Sequence, residues 1–223
     1  MKKFSDKKII SSWIKNANPW VSAIRDNEIE SRVLVTNSSI VKAILECAPK
    51  TVLDVGCGEG WMVRELAKSG INCLGIDAVP ELIEHAKKEG GGKFRVISYE
   101  NLSDDTLKKK FDAMVCNFSL LGYESVHNVF RRAASLLNKN GSLIVQTIHP
   151  ANGKDGWREG SWQGFSNKFT DPAPWYFRTL ETWKSLFVKN GFELNKIVEP
   201  LNPKTKSPYS IIFVGNKFNK PTV

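Results

Sequence analysis

From residue 51 onward, short and nearly continuous apolar runs alternate with stretches in which apolar residues recur every three or four positions. The runs at 51–55 (TVLDV), 72–77 (NCLGID), 93–98 (KFRVIS), 111–118 (FDAMVCNF) and 142–148 (SLIVQTI) read as strands. The stretches at 60–69, 80–89 and 124–138 read as helices, with a short one over 103–110. Strands apolar on both faces and separated by helices predict a parallel sheet covered on both sides, an α/β domain. The pattern then breaks. Residues 150–178 carry Gly, Trp, Phe and Pro without a period, and a loop of that length in a compact domain acts as a lid or binding element. A helix resumes at 179–190, with Thr179 as its cap and Gly191 as its stop. Strand-like runs at 192–198 and 209–216 close the chain, and two helices, over 6–16 and 38–47, precede the core. No internal repeat is visible.

These 223 residues therefore divide into an N-terminal helical cover (1–50), a core (51–149), an insertion (150–178) and a closing helix with two strands (179–223), all within one domain. Composition agrees: 41% apolar and 25% charged residues are ordinary for a globular protein. No apolar run approaches the roughly 20 residues that span a bilayer. The start, MKKFSDKKIISSWIK, lacks a signal-peptide core, so a cytoplasmic location is expected. Four cysteines without a C-x-x-C pair and three histidines do not suggest a metal site, and the thiols Cys73 and Cys116 lie inside strand-like runs as small hydrophobes. Charge changes the picture more. Residues 51–150 balance 12 Lys and Arg against 12 Asp and Glu, so the net +9 sits in the flanks. A basic rim attracts an anionic partner or serves solubility.

The stretch with the most chemistry is VLDVGCGEGWMVREL, 52–66. An apolar strand ends in Asp54, glycines follow at 56, 58 and 60, and a helical pattern begins. Such a turn lets a ligand approach the backbone and presents free N–H groups at a helix start. The dinucleotide fingerprint G-x-G-x-x-G needs a third glycine where this chain has Trp61, and no G-K-[ST] follows. An acid at position 54 repels a phosphate and suits a cationic or hydrogen-donating ligand. Cys57 reads as a small residue in the turn rather than a nucleophile.

These residues resemble the first motif of the class I S-adenosylmethionine-dependent methyltransferases. The resemblance runs over about residues 36–148. It implies a doubly wound, mostly parallel seven-stranded sheet whose seventh strand is antiparallel, and S-adenosyl-L-methionine as cofactor. Asp54, Gly56, Cys57 and Gly58 would then form the cofactor turn. Asp77, with Ala78 in LGIDA, matches the family acid that accepts both ribose hydroxyls, since a carboxylate offers two acceptors to a cis-diol. Pro80 also makes Asp77 a candidate helix cap. SYENL (98–102) falls where the family places an acid or amide beside the adenine, which puts Glu100, Asn101 and Leu102 there. The resemblance sets Asn117 and Phe118 beside the methionine portion, and LLNKNGSLIV looks like the family's helix–turn–fifth strand element.

Two residues carry open alternatives. Arg32 either reaches the ligand's carboxylate or pairs with Glu28 or Glu30 on a surface helix. His149, at the carboxyl edge of the fifth strand, either takes a proton from a nucleophile as a general base or hydrogen-bonds the lid. The lid aromatics (Trp157, Trp162, Phe165, Phe169, Trp175, Tyr176, Phe177) either enclose an acceptor or form a satellite core. The reading is an enzyme that methylates a small molecule, anionic or aromatic, on O or N rather than C. QTIHP (146–150) resembles quinone-biosynthesis methyltransferases. Methylation of RNA, a regulator that binds the cofactor without transfer, and an aminopropyltransferase are the rivals. The sequence leaves the oligomeric state open.

Overall fold

The computed structural model describes residues 2–150 and 153–218; residues 1, 151–152 and 219–223, parts of the expected N-terminal, insertion and C-terminal segments, lie outside it. The chain begins with helices α1 (Asp6–Lys15) and α2 (Ala17–Arg25), a π-helical turn (Arg32–Thr36) and α3 (Asn37–Glu46). Alternation follows: β1 (Thr51–Val55), α4 (Trp61–Ala67), β2 (Asn72–Asp77), α5 (Pro80–Glu89), β3 (Lys93–Val96), α6 (Asp104–Leu107), β4 (Phe111–Asn117), α7 (Glu124–Leu136) and β5 (Leu137–Ile148). A small hairpin-like pair, β6 (Gly156–Arg158) and β7 (Trp175–Phe177), precedes α8 (Leu180–Lys189), β8 (Phe192–Val198) and β9 (Ser210–Lys217).

Seven strands form one sheet in the order β3-β2-β1-β4-β5-β9-β8. The first five are mutually parallel, and β9 runs antiparallel to both β5 and β8. This is the expected seven-stranded sheet with its last strand reversed. Period-two alternation splits each central strand between two layers. Leu53, Val55, Met114, Cys116, Leu143 and Val145 pack with α7 and α8 residues such as Phe130 and Phe187. Val52, Ala113, Val115 and Ile144 pack on the other face with Met62, Val63 and Leu66 of α4. The order of connection reverses between β1 and β4, and open α/β sheets bind ligands in the crevice beyond such a switch point.

Besides the π-helical turn and the short β6–β7 pair within the insertion, α2 and β5 differ from expectation. α2 lies between the two helices expected before the core, where the sequence pattern places none. Pro19 occupies the third position of α2, inside the first turn, where a backbone N–H has no helical partner to lose. β5 begins at Leu137 rather than at 142, and α7 ends at Leu136. Leu137 pairs with Phe111 before a register shift, and Asn140 takes a left-handed φ of 63° within the irregular stretch. Among the described residues no helix is long and apolar enough to cross a membrane.

The insertion is fastened to the N-terminal helix. Asp171 pairs with Lys8 and with Lys15, and its carbonyl accepts the Ser12 hydroxyl. Asn16 exchanges two hydrogen bonds with the Thr170 backbone, at 2.7 and 2.9 Å. Lys3 pairs with Glu159. Part of the N-terminal positive charge is thus engaged within the molecule.

Candidate functional site

A cavity of about 350 Å³ opens beyond the carboxyl ends of β1, β2 and β4, under α1, α2 and the insertion. Its floor is the glycine turn. All three glycines have positive φ: 77° at Gly56, 57° at Gly58 and 85° at Gly60. Their surroundings differ. A Cβ on Gly56 would collide with Ser119 and approach the Tyr99 hydroxyl to 2.7 Å; one on Gly60 would lie 2.7 Å from the Phe94 ring. These two serve close packing of the turn on β3 and on the loop after β4. At Gly58 the added carbon would meet only Trp20 Nε1, at an ordinary contact distance of 3.6 Å. Ser119 Oγ donates to the Val55 carbonyl at 2.6 Å, and Tyr99 Oη donates to the Ser119 carbonyl at 3.1 Å, so the ends of β1 and β4 are joined.

Asp77 closes the turn from the side. Its Oδ2 accepts the Gly58 N–H and its Oδ1 the Val79 N–H, both at 2.9 Å. Each oxygen keeps acceptor capacity for a further donor. Burial raises the Asp77 carboxyl above the usual range, opposed by the N–H groups of Val79, Gly58 and Ala78.

Asp54 is fully buried, and neither carboxylate oxygen has a hydrogen-bond partner. Burial, then the charge of Asp77, pushes its pKa up to about 8 against the opposing pull of Arg32. Arg32 is 8% exposed, its Nε and Nη2 have no partner, and its guanidinium lies 5.6 Å from the Trp20 ring and 5.1 Å from that of Trp61. Burial lowers its pKa to about 10, opposed by Glu59 and Asp54. The alternative of a surface arginine beside Glu28 or Glu30 is therefore not what forms. Asn117 presents a further buried oxygen, Oδ1, with no partner. Phe118, at a left-handed φ of 53°, turns the chain out of β4.

The cavity gathers Arg32, Asp54, Gly56, Cys57, Gly58, Asp77, Ala78, Glu100, Asn117 and Phe118. Burial, then Asp54 and Asp77, pushes the Cys57 thiol well up, so it stays protonated as a small turn residue. Asn101 and Leu102 do not join the lining. They follow Glu100 at the end of a 3-10 turn (Tyr99–Asn101), where Leu102 enters the core and the Asn101 carbonyl accepts Thr106 Oγ1. His149 is also outside. It borders a smaller hollow beside Trp175 and Phe177, and its Nε2 lies 2.9 Å from Glu199 Oε1. Sequence reasoning missed Trp20, Glu59, Trp61, Tyr99 and Ser119 as lining residues. Trp61 was noticed only as the absence of a glycine; its ring in fact lies against Arg32.

Known proteins share this fold. Residues 32–197 match a family model described as a methyltransferase domain. A ubiquinone biosynthesis O-methyltransferase of Xanthomonas axonopodis pv. citri is 36% identical over 114 residues, 49% of this chain and 47% of that protein. The chain thus matches about half the length of such curated relatives. An S-adenosylmethionine dependent methyltransferase from Mesorhizobium loti superposes with a TM-score of 0.62 at 20% identity, covering 79% of this chain and 95% of that one. Magnesium protoporphyrin IX methyltransferase from Synechocystis PCC 6803, with bound SAH, gives 0.60 at 19% identity and 81% coverage of both. At these identities the structures establish likeness of fold.

Proposed function

Since this chain belongs to the methyltransferase-domain family, we propose that it holds S-adenosyl-L-methionine in the β1–β4 cleft and passes the methyl group to a small-molecule acceptor. One observation carries the reading: Asp54 and Arg32, an acid and a base buried at one cavity, both bear polar atoms that nothing in the protein satisfies. Burying a charge without partners costs several kcal/mol, roughly 3–5 where one member of a pair is missing. A ligand with an amino-acid end offsets that cost, its ammonium meeting Asp54 and its carboxylate meeting Arg32. Asn117 Oδ1 adds an acceptor at the same end. Asp77 takes the ribose hydroxyls on the lone pairs left free by Gly58 and Val79. Glu100 serves the adenine side, with Asn101 and Leu102 supporting the turn that carries it. Gly56, Cys57, Gly58, Ala78 and Phe118 shape the walls. A dinucleotide fits poorly, because Asp54 would face a phosphate and Trp61 fills the place of the third glycine.

Held by Asp54, Arg32 and Asp77, the cofactor would supply an electrophilic methyl group on a positively charged sulfur. The chain's own task is to align the partners and exclude water. Oxygen is the favoured nucleophile, in keeping with the O-methyl transfer for which the Xanthomonas relative is named. We assign no proton transfer to His149, whose imidazole is paired with Glu199 outside the cavity lining. RNA is not favoured, since the charged side chains of that lining, Arg32 apart, are carboxylates. Incubation with methyl-labelled S-adenosylmethionine and a cellular extract is the test. Label is expected in small molecules; label confined to RNA, or none at all, contradicts the proposal.

A further inference from the structure

We infer that the acceptor is an uncharged, mostly apolar, ring-sized molecule seated between α1 and the insertion; this rests on the methyl transfer proposed above. The first argument is charge. The cavity is lined by Asp6, Asp54, Glu59, Asp77 and Glu100, and among the described residues Arg32 is its one cationic side chain. Arg32 belongs to the Asp54 end, between the rings of Trp20 and Trp61. Lys8 and Lys15 of α1 pair with Asp171, and neither lines the cavity. An anionic acceptor would meet carboxylates and no cation. The net charge of +9 is therefore not directed at this site.

A cationic acceptor would find a single acid on the α1 side, Asp6, which is engaged in holding the start of α7: its oxygens each accept one backbone N–H, Tyr123 at 2.9 Å and Ser125 at 2.6 Å. The rest of that wall is Ile9, Ile10, Trp13, Leu121, Trp162 and Phe165. Trp13 meets Trp162 edge-on at 5.8 Å, and Trp162 meets Phe165 edge-on at 5.4 Å, so helix and insertion present one aromatic surface. The Trp162 indole N–H is already given to the Thr170 carbonyl at 2.9 Å, which leaves its ring as apolar contact area. A charge buried there lacks partners, whereas a neutral ring gains area against these faces. Of the two acceptor types the sequence left open, anionic or aromatic, the wall fits the second.

Two probes with one ring system test this: neutral N-phenyl-1-naphthylamine and anionic 8-anilinonaphthalene-1-sulfonate, each titrated by fluorescence into protein saturated with S-adenosylhomocysteine. The neutral probe is expected to bind at one site at least tenfold more tightly than the sulfonate. Trp162→Ala should weaken it at least tenfold, with Phe165→Ala as the substitute if that variant does not fold. Ile10→Lys should invert the preference. Equal or tighter binding of the sulfonate, or indifference of the neutral probe to these substitutions, overturns the inference. Tighter binding of trimethylanilinium than of the neutral probe also overturns it, in favour of an amine acceptor. Because saturation with S-adenosylhomocysteine is measured first, failure at that step strikes the proposed function, whereas a wrong probe order after saturation strikes this inference alone.

Discussion

Asp54→Asn is expected to stabilise the free protein at alkaline pH and to weaken S-adenosylhomocysteine about tenfold to a hundredfold. The substitution keeps the shape of a fully buried side chain whose oxygens have no partner and removes its charge. The sign of the pH effect follows from the carboxyl's position. Its pKa rises from 3.8 unfolded to about 8 in the fold. Between those values the native state retains a proton that the unfolded chain has released. Stability therefore falls as pH rises through that window, by up to ~1.4 kcal/mol per unit from this one group, and levels off above it. Asn at this position has no such slope. Denaturant midpoints of the two proteins at pH 5, 7 and 9 should diverge in favour of the variant as pH rises. Parallel curves would remove the buried carboxylate from the account. The affinity loss follows from one charge-assisted hydrogen bond, about 1.5–3 kcal/mol. Wild-type affinity should also climb between pH 6 and 8, as the carboxyl ionises to meet the ligand's ammonium, while the variant's stays flat.

The second large effect is expected at Asp77→Ala, where stability and affinity should fall together. The sequence offers two roles for this acid, ribose acceptor or helix cap. In the structure α5 is capped at Val79 without a side-chain hydrogen bond, and Asp77 instead supports the glycine turn and the strand exit, its two oxygens holding Gly58 N–H and Val79 N–H separately. Losing both supports should cost about 2 kcal/mol, with hydrogen bonds to charged groups at roughly 1.5–3 each and solvent partly replacing them. For a chain of this size that is about 4–8 °C in Tm. S-adenosylhomocysteine affinity should fall at least a hundredfold, since the ribose hydroxyls lose their acceptor and the turn loses its anchor. Reduced stability with unchanged affinity would leave Asp77 as a loop support only.

What the sequence revealed of this site lies at strand ends. Asp54, Asp77 and Asn117 end apolar runs in a parallel sheet, so their place beyond the carboxyl edge follows from pattern and connection order alone. Arg32 carried two alternatives, and its burial between Trp20 of α2 and Trp61 of α4 depends on a helix that the local pattern does not show. The misplacement of Asn101 and Leu102 is a matter of rotation. A single 3-10 turn decides which of Tyr99 to Leu102 faces the cavity, and no period can be read in three residues. Least legible was the roof. Asp171 meets Lys8 and Lys15, and Thr170 meets Asn16, across more than 150 positions. Local pattern carries no information about pairs so far apart, so the insertion could be named a lid but not attached to α1. For His149 the pattern shows a place after a parallel strand, whereas the neighbour beside its ring, Glu199, comes from the connection between β8 and β9, some 50 positions away.

The account stands most directly on what the Asp54–Arg32 cleft binds. Isothermal titration of S-adenosylhomocysteine and of NAD into the purified protein, in parallel, measures this. The expected result is one equivalent of S-adenosylhomocysteine bound per chain and no binding heat from NAD. Saturable binding of NAD with none of S-adenosylhomocysteine would contradict it.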